Sequence, residues 1–436
     1  MNFGRRIYIV IFVVTGLFFF SQSVLAVLFE PGAGVGLEYT NNARLTLDDQ
    51  ISDLVATTYV GARVTEDEGA LKYGAATSFN RHSYVHDSYD DQRYFNLGAN
   101  ADWEMIKDRF NWFLADNFYQ NSISSLGVNT PDNIQDSNVF TFGALARLPL
   151  SARQSFSLTP TFSQYYYEVL HTDNKQYSLT ANWNYQMFRL TNVGLVLSGR
   201  KINYTETDIF GRSPDNTEFT NMAIIVNGQR LRSSFLINLG ATNVKRDNGQ
   251  ETTEFAGYLD WQTDISSRST FETRVSTDLT DASSVAAGQT GGGVQITADV
   301  IRTSILNLTY SRDDATLNTR LSGRYNRVLY SESPLDRIIR SLDLQFSYPV
   351  TQRLSSSAYV YYNRIRQLEI DREDERVTVG GNLRYNFSRK IHGLFDLKYR
   401  NRKSTISALD YDEYSIFISL VYGYGEVGRA TRTGGF

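Results

Sequence analysis

No cysteine occurs in these 436 residues, so disulfides, thiolate metal sites and a lipid-modified amino-terminal cysteine are excluded. Proline is scarce, seven in all, which favours long unbroken strands because proline removes a ladder hydrogen bond. Past residue 26 there is no run of eighteen or more apolar residues, which excludes transmembrane helices. Charge of one sign is lacking too. After residue 26 there are 41 basic and 47 acidic residues, a net −6, too little positive field for nucleic acid. Histidine is nearly absent: His82, His86, His171 and His392 are the whole supply.

What remains is aromatic and alternating. Tyr (28) and Phe (26) are abundant in a chain whose mean hydropathy is −0.34. From Glu413 to Tyr424 one face carries Tyr414, Ile416, Ile418, Leu420, Tyr422 and Tyr424. The other carries Ser415, Phe417, Ser419, Val421 and Gly423. A period of two is a β-strand between two environments. Aromatics at both ends of an aliphatic face point to a bilayer bounded by headgroups. Similar runs recur, as at Phe95–Trp103, Phe156–Phe162, Tyr177–Tyr185 and Val377–Phe387, and no helical period competes. About twenty runs fit between residues 33 and 424, with eighteen as the alternative.

The ends read differently. Arg5 and Arg6, the apolar Ile7–Phe20 and the small-residue exit Ser21–Ala26 form a secretory signal peptide cleaved after Ala26. A retained anchor would need a longer apolar stretch to span about 30 Å of hydrocarbon. Residues 425–436 hold four Gly and two Arg, a poor lipid-facing strand, and are expected to be a short, loose periplasmic tail.

Connections after odd-numbered runs are long, such as Asn121–Gln135, Glu206–Asp215, Asp281–Thr297 and Arg366–Asp374. Those after even-numbered runs are tight, as at Arg189, Arg230 and Thr351. Short periplasmic turns alternating with long external loops are the habit of outer-membrane barrels. The expected fold is therefore all-β: one transmembrane antiparallel up-and-down barrel over residues 27–424. A soluble propeller or β-helix would need a sequence repeat that is not found.

Catalytic chemistry finds little support. His82 and His86 are four apart, roughly 13 Å along a strand, and zinc needs three or four convergent ligands. Gly288–Gly293 lacks the Lys-Ser/Thr pair of a phosphate loop and reads as flexible loop. No catalytic residue, metal or cofactor is expected; the chain does not read as an enzyme. Trp103, Trp112, Trp183 and Trp261 read as interface belt. The acidic clusters Asp48-Asp49, Asp90-Asp91 and Glu373-Asp374-Glu375 read as solvated loops, or as contacts to cation-bridged lipopolysaccharide.

The inner register is more informative. It carries Arg320, Arg324, Asp343, Arg384, Asp396, Lys398 and Arg400, with Tyr165, Tyr167, Tyr258, Tyr359 and Tyr361. Mixed charges suit a solvated, mutually paired interior as well as a sugar chain. Tyrosine offers a flat apolar face and a hydroxyl to a sliding carbohydrate.

Three stretches resemble a known family: Val35–Asn42 with Ser52–Val55, Phe79–Tyr84 through Tyr94–Leu97, and Tyr411–Tyr414 into Ile416–Leu420. They are similar to the first hairpin, second external loop with fourth strand, and closing strand of the putative β-barrel porin family found with bacterial exopolysaccharide and exosortase gene clusters. The resemblance implies a channel in the outer membrane of a Gram-negative bacterium. Its partners would be outer-membrane lipid and lipopolysaccharide, a polysaccharide chain and periplasmic polysaccharide-export proteins. General diffusion of small solutes and surface adhesion are the alternatives.

Overall fold

The computed structural model describes residues 27–206, 214–288 and 294–429. Residues 1–26, where the signal peptide is expected, residues 207–213, residues 289–293 of the glycine-rich stretch and residues 430–436 lie outside the described residues.

Twenty strands follow one another. They are β1 (Leu28–Thr40), β2 (Asp53–Glu66), β3 (Leu71–Tyr84), β4 (Gln92–Ile106), β5 (Phe110–Ser122), β6 (Ile134–Ser151) and β7 (Gln154–Tyr167). Next come β8 (Asn174–Phe188), β9 (Thr191–Tyr204), β10 (Thr217–Gln229), β11 (Ser233–Arg246), β12 (Glu251–Ser266) and β13 (Ser269–Asp281). After a short helix, α1 (Ala282–Gly288), come β14 (Val300–Asp313), β15 (Asn318–Tyr330), β16 (Arg337–Pro349) and β17 (Leu354–Gln367). The chain finishes with β18 (Glu373–Asn386), β19 (Ile391–Ser404) and β20 (Tyr411–Gly423).

Each strand pairs antiparallel with the next, and β1 also pairs with β20 from Gly32↔Gly423 to Thr40↔Ser415. The sheet is thus closed, as the alternation predicts, and closure leaves no edge whose unpaired backbone groups would each cost several kcal/mol in lipid. The parity of the register then decides which face each side chain meets. On β20 the alternation is clean: Tyr414, Ile416, Ile418, Leu420 and Tyr422 are exposed on the outer wall, and Ser415, Phe417, Ser419 and Val421 are buried inside.

The outer wall is girdled by aromatics. All four tryptophans lie on it, in the half nearer the short turns. Trp103 pairs with Trp112, and Trp112 stacks on Phe142 at 5.2 Å. Trp183 stacks on Tyr185 and Trp261 meets Phe271 edge-on. Such pairs add about 0.5–1.5 kcal/mol beyond their area.

One seam of the closed wall is unpaired at its long-loop end. β12 and β13 pair only from Gly257↔Thr277 toward the short turns, while β13 stays paired with β14 up to Asp281↔Val300. Where the two ends part, Ile202, Phe219, Val244, Leu279 and Val300 form an apolar cluster. The end of β13 is drawn toward β9 instead: Arg200 Nη2 donates to Thr280 Oγ1 at 3.1 Å and the Tyr204 hydroxyl donates to Asp281. This leads the following loop into the lumen.

Candidate functional site: a lumen narrowed at both ends

A ring of this many strands is too wide for its wall side chains to fill. Three segments narrow it instead. At the long-loop end, the β5–β6 loop (residues 123–133) reaches across the interior. The Leu126 carbonyl accepts from Arg372 Nη2 at 2.9 Å and Arg402 Nη2 at 2.8 Å, and Ser125 Oγ accepts from Arg337 Nη1 at 2.8 Å. The β13–β14 loop meets it, with Gln295 accepting from the Ser125 amide at 2.9 Å and donating to the Ile123 carbonyl at 2.7 Å. Helix α1 docks on the opposite wall, where Tyr167 donates to the Ser283 carbonyl at 2.7 Å and Asn174 to Ser283 Oγ at 3.0 Å.

At the short-turn end, the chain folds back into its own barrel. Gly423 and Gly425 take positive φ of 77° and 90°, which a side chain would strain. Tyr424 is therefore a turn residue past the end of β20, with its amide on the Pro31 carbonyl and its own carbonyl accepting from the Tyr59 hydroxyl at 3.0 Å. Val427 is buried against Tyr59, Phe417 and Val421. The Gly428 amide donates to Asn80 Oδ1 at 3.0 Å. Arg429 then pairs with Glu38 at 3.0 Å and with Asp396, its guanidinium 5.1 Å from the centre of the Phe417 ring. The expectation of a loose tail is corrected for residues 425–429. The glycine content that made the segment look unstructured provides the turn, and the arginine provides the anchor.

The inner face of β1 makes room for this segment. A Cβ at Gly36 would stand 2.9 Å from both Val427 and the Phe417 ring. Gly36→Val should expel the segment while leaving the wall intact. The expected result is accelerated protease cleavage of residues 425–429 in the folded, heat-modifiable barrel; cleavage at the wild-type rate would mean that the segment repacks.

Residues 336–424, which hold β16 to β20, match the family model described as putative beta-barrel porin 2. These closing strands are similar to that porin family. Of the three stretches that carry the resemblance in sequence, only Tyr411–Leu420 lies inside the matched segment. No curated protein matches the chain. Among solved structures, the siderophore receptor PirA from Acinetobacter baumannii is similar at 8% identity, covering 92% of this chain and 81% of that one, with a TM-score of 0.50. The FrpB iron transporter from Neisseria meningitidis is similar at 9% identity over 91% of this chain and 81% of that one, with a TM-score of 0.49. At such identity the first likeness shows the fold alone.

The barrel's register sets all twelve expected lumen residues on the inner face. It groups some and scatters others. Asp396, Lys398 and Arg400 are buried together with Glu38, Glu413 and Arg402, and Arg400 pairs with Glu413. Tyr359 and Tyr361 lie 5.0 Å apart, centre to centre, and the Tyr361 hydroxyl accepts from Gln345 Nε2 at 2.9 Å beside Asp343. Tyr359 lies against the wall over Gly380, where a Cβ would come within 2.4 Å of its ring. Arg384 pairs with Glu426 of the inserted segment at 2.6 Å. Tyr167 is buried under α1, and Tyr165 lies two residues before it on the same face. Arg320 and Arg324 stand exposed on β15, and Tyr258 on β12 is apart from both clusters.

Sequence reading missed Glu38, Arg337, Arg376, Arg402, Glu413 and Arg429. For Glu38 a signal existed, a lone carboxylate between Gly36 and Thr40 on the inner parity. His82 and His86 part company: His82 is buried against Thr57, with Nδ1 2.9 Å from Oγ1, and His86 sits in the loop near Asp53. The cluster Glu373-Asp374-Glu375 opens β18 rather than ending a loop, and Arg364, Arg372 and Arg402 neutralise it. Asp91 is held below the usual carboxylate range by its hydrogen bond from Arg81.

Proposed function

We propose that this porin passes a polysaccharide chain outward across the outer membrane, receiving it from periplasmic export proteins and acting without catalysis. The reading rests on one observation, the tyrosine pair Tyr359–Tyr361. It sets two aromatic rings beside Gln345, Asp343, Thr378 and Gly380, their cross-strand partners. A sugar ring stacks on the faces while amides and carboxylates exchange hydrogen bonds with its hydroxyls, so a chain is gripped and released stepwise. Small ions need no such surface. The resemblance of the sequence to export-associated barrels favours outward polymer export, and the narrowed lumen supports a channel that opens on demand.

Deletion of the gene should abolish surface polysaccharide while precursor accumulates in the periplasm, and the purified wild-type barrel should be nearly silent in planar bilayers. A steady large conductance with secretion intact would instead make it a general diffusion porin.

A further inference from the structure

We infer that the lumen holds an oxyanion site between Arg376 and Arg402 that takes the carboxylate of an acidic sugar. The inference deepens the export reading and rests on it for the ligand being a glycan.

Arg376 and Arg402 are direct cross-strand partners on the inner face of β18 and β19. At that position their Cβ atoms stand about 5 Å apart, where like charges repel. Arg402 is 1% exposed. Its Nε and Nη1 atoms, and the Nε and Nη2 atoms of Arg376, are buried without a hydrogen-bond partner. Buried charged donors are normally satisfied, so four of them around one like-charged pair call for an anion. The protein supplies few: Asp374 reaches Arg402 at 3.3 Å but also serves Arg372 at 3.0 Å, and Glu413 is taken by Arg400.

The unpartnered acceptors narrow the class of ligand. Asn363, the cross-strand neighbour of Arg376 on its other side, has a buried Oδ1 without a partner, and so has Asp374, two residues along β18. A bare inorganic anion would satisfy the donors and leave these oxygens idle. A uronic-acid-type sugar uses both sets, its planar carboxylate on the guanidinium forks and its hydroxyls on the two oxygens. Arg402 also holds the Leu126 carbonyl of the inserted loop. A carboxylate arriving there competes with that carbonyl, so occupancy loosens the constriction.

The test is calorimetric titration of the full-length, detergent-solubilised barrel with trigalacturonate, with uncharged maltotriose and with inorganic phosphate. Trigalacturonate should bind, maltotriose should not, and Arg376→Gln and Arg402→Gln should each weaken binding at least tenfold. Arg353→Gln, in a short turn, should change nothing. Heat-modifiability on gels reports folding. Should Arg402→Gln misfold, Arg376→Lys keeps the charge, loses the fork and should still bind several-fold more weakly. Equal affinity in the arginine variants, phosphate binding without trigalacturonate binding, or no binding would overturn the site. If trigalacturonate binds as expected but the deletion strain still secretes polymer, the export reading fails and the site stands.

Discussion

A chain ending at Tyr424 should conduct several-fold more current than the full chain, because the inserted segment then leaves the lumen. Its hold is the sum of unlike contacts. Val427 contributes apolar burial against Tyr59, Phe417 and Val421, while Arg429 meets Glu38 and Asp396. Of these, the charged contact is the more sensitive to a single change. Glu38 is fully buried, and removing one member of a buried ion pair strands the other. Such losses run to about 3 kcal/mol or more, roughly a hundredfold in the docked-to-free ratio. Arg429→Gln should therefore approach the truncated chain in conductance with every strand left in place. It should also shift selectivity toward cations, since Glu38 and Asp396 keep their charge and lose their counter-ion. The shift is best read at low salt, where the screening length exceeds about 10 Å. Unchanged current and selectivity in both proteins would mean that the segment does not obstruct the pore.

The barrel was legible in the sequence because a period of two, kept up over twenty runs, has one meaning in a chain with few prolines and no apolar helix. Parity then assigned Asp396, Lys398, Arg400 and the Tyr359–Tyr361 pair to the interior without knowledge of the ring. Even the inserted segment left a trace. Phe417 and Val421 broke the small, polar pattern of the inner face of β20, and they are the residues that Val427 covers. What stayed hidden has a common cause. The β5–β6 loop is held through the Leu126 carbonyl and the Ser125 hydroxyl, groups any loop possesses, so its composition does not show that it turns inward. The parting of β12 from β13 is a matter of pairing between strands that each alternate normally. Arg376 and Arg402 were missed, because their facing one another depends on the register of β18 against β19.

Shortening the β5–β6 loop, by replacing residues 124–130 with two glycines, should have the opposite signature and a larger partner effect. Its contacts are Arg337, Arg372, Arg402 and Gln295. Removing it uncovers three arginines at the long-loop end, two of which stay beside Asp374, so selectivity should move toward anions where loss of Arg429 moves it toward cations. The two constrictions lie along one path, and resistances in series add. Opening either alone raises the current only until the other limits it. Opening both, by loop replacement together with truncation after Tyr424, should therefore raise conductance by more than the two single gains combined, with the opposed selectivity shifts largely cancelling. Simple additivity would place the two obstructions on parallel routes through the lumen. Near-silence of the double variant would leave the β13–β14 loop, anchored by Tyr167 and Asn174 through α1, as the element that closes the barrel.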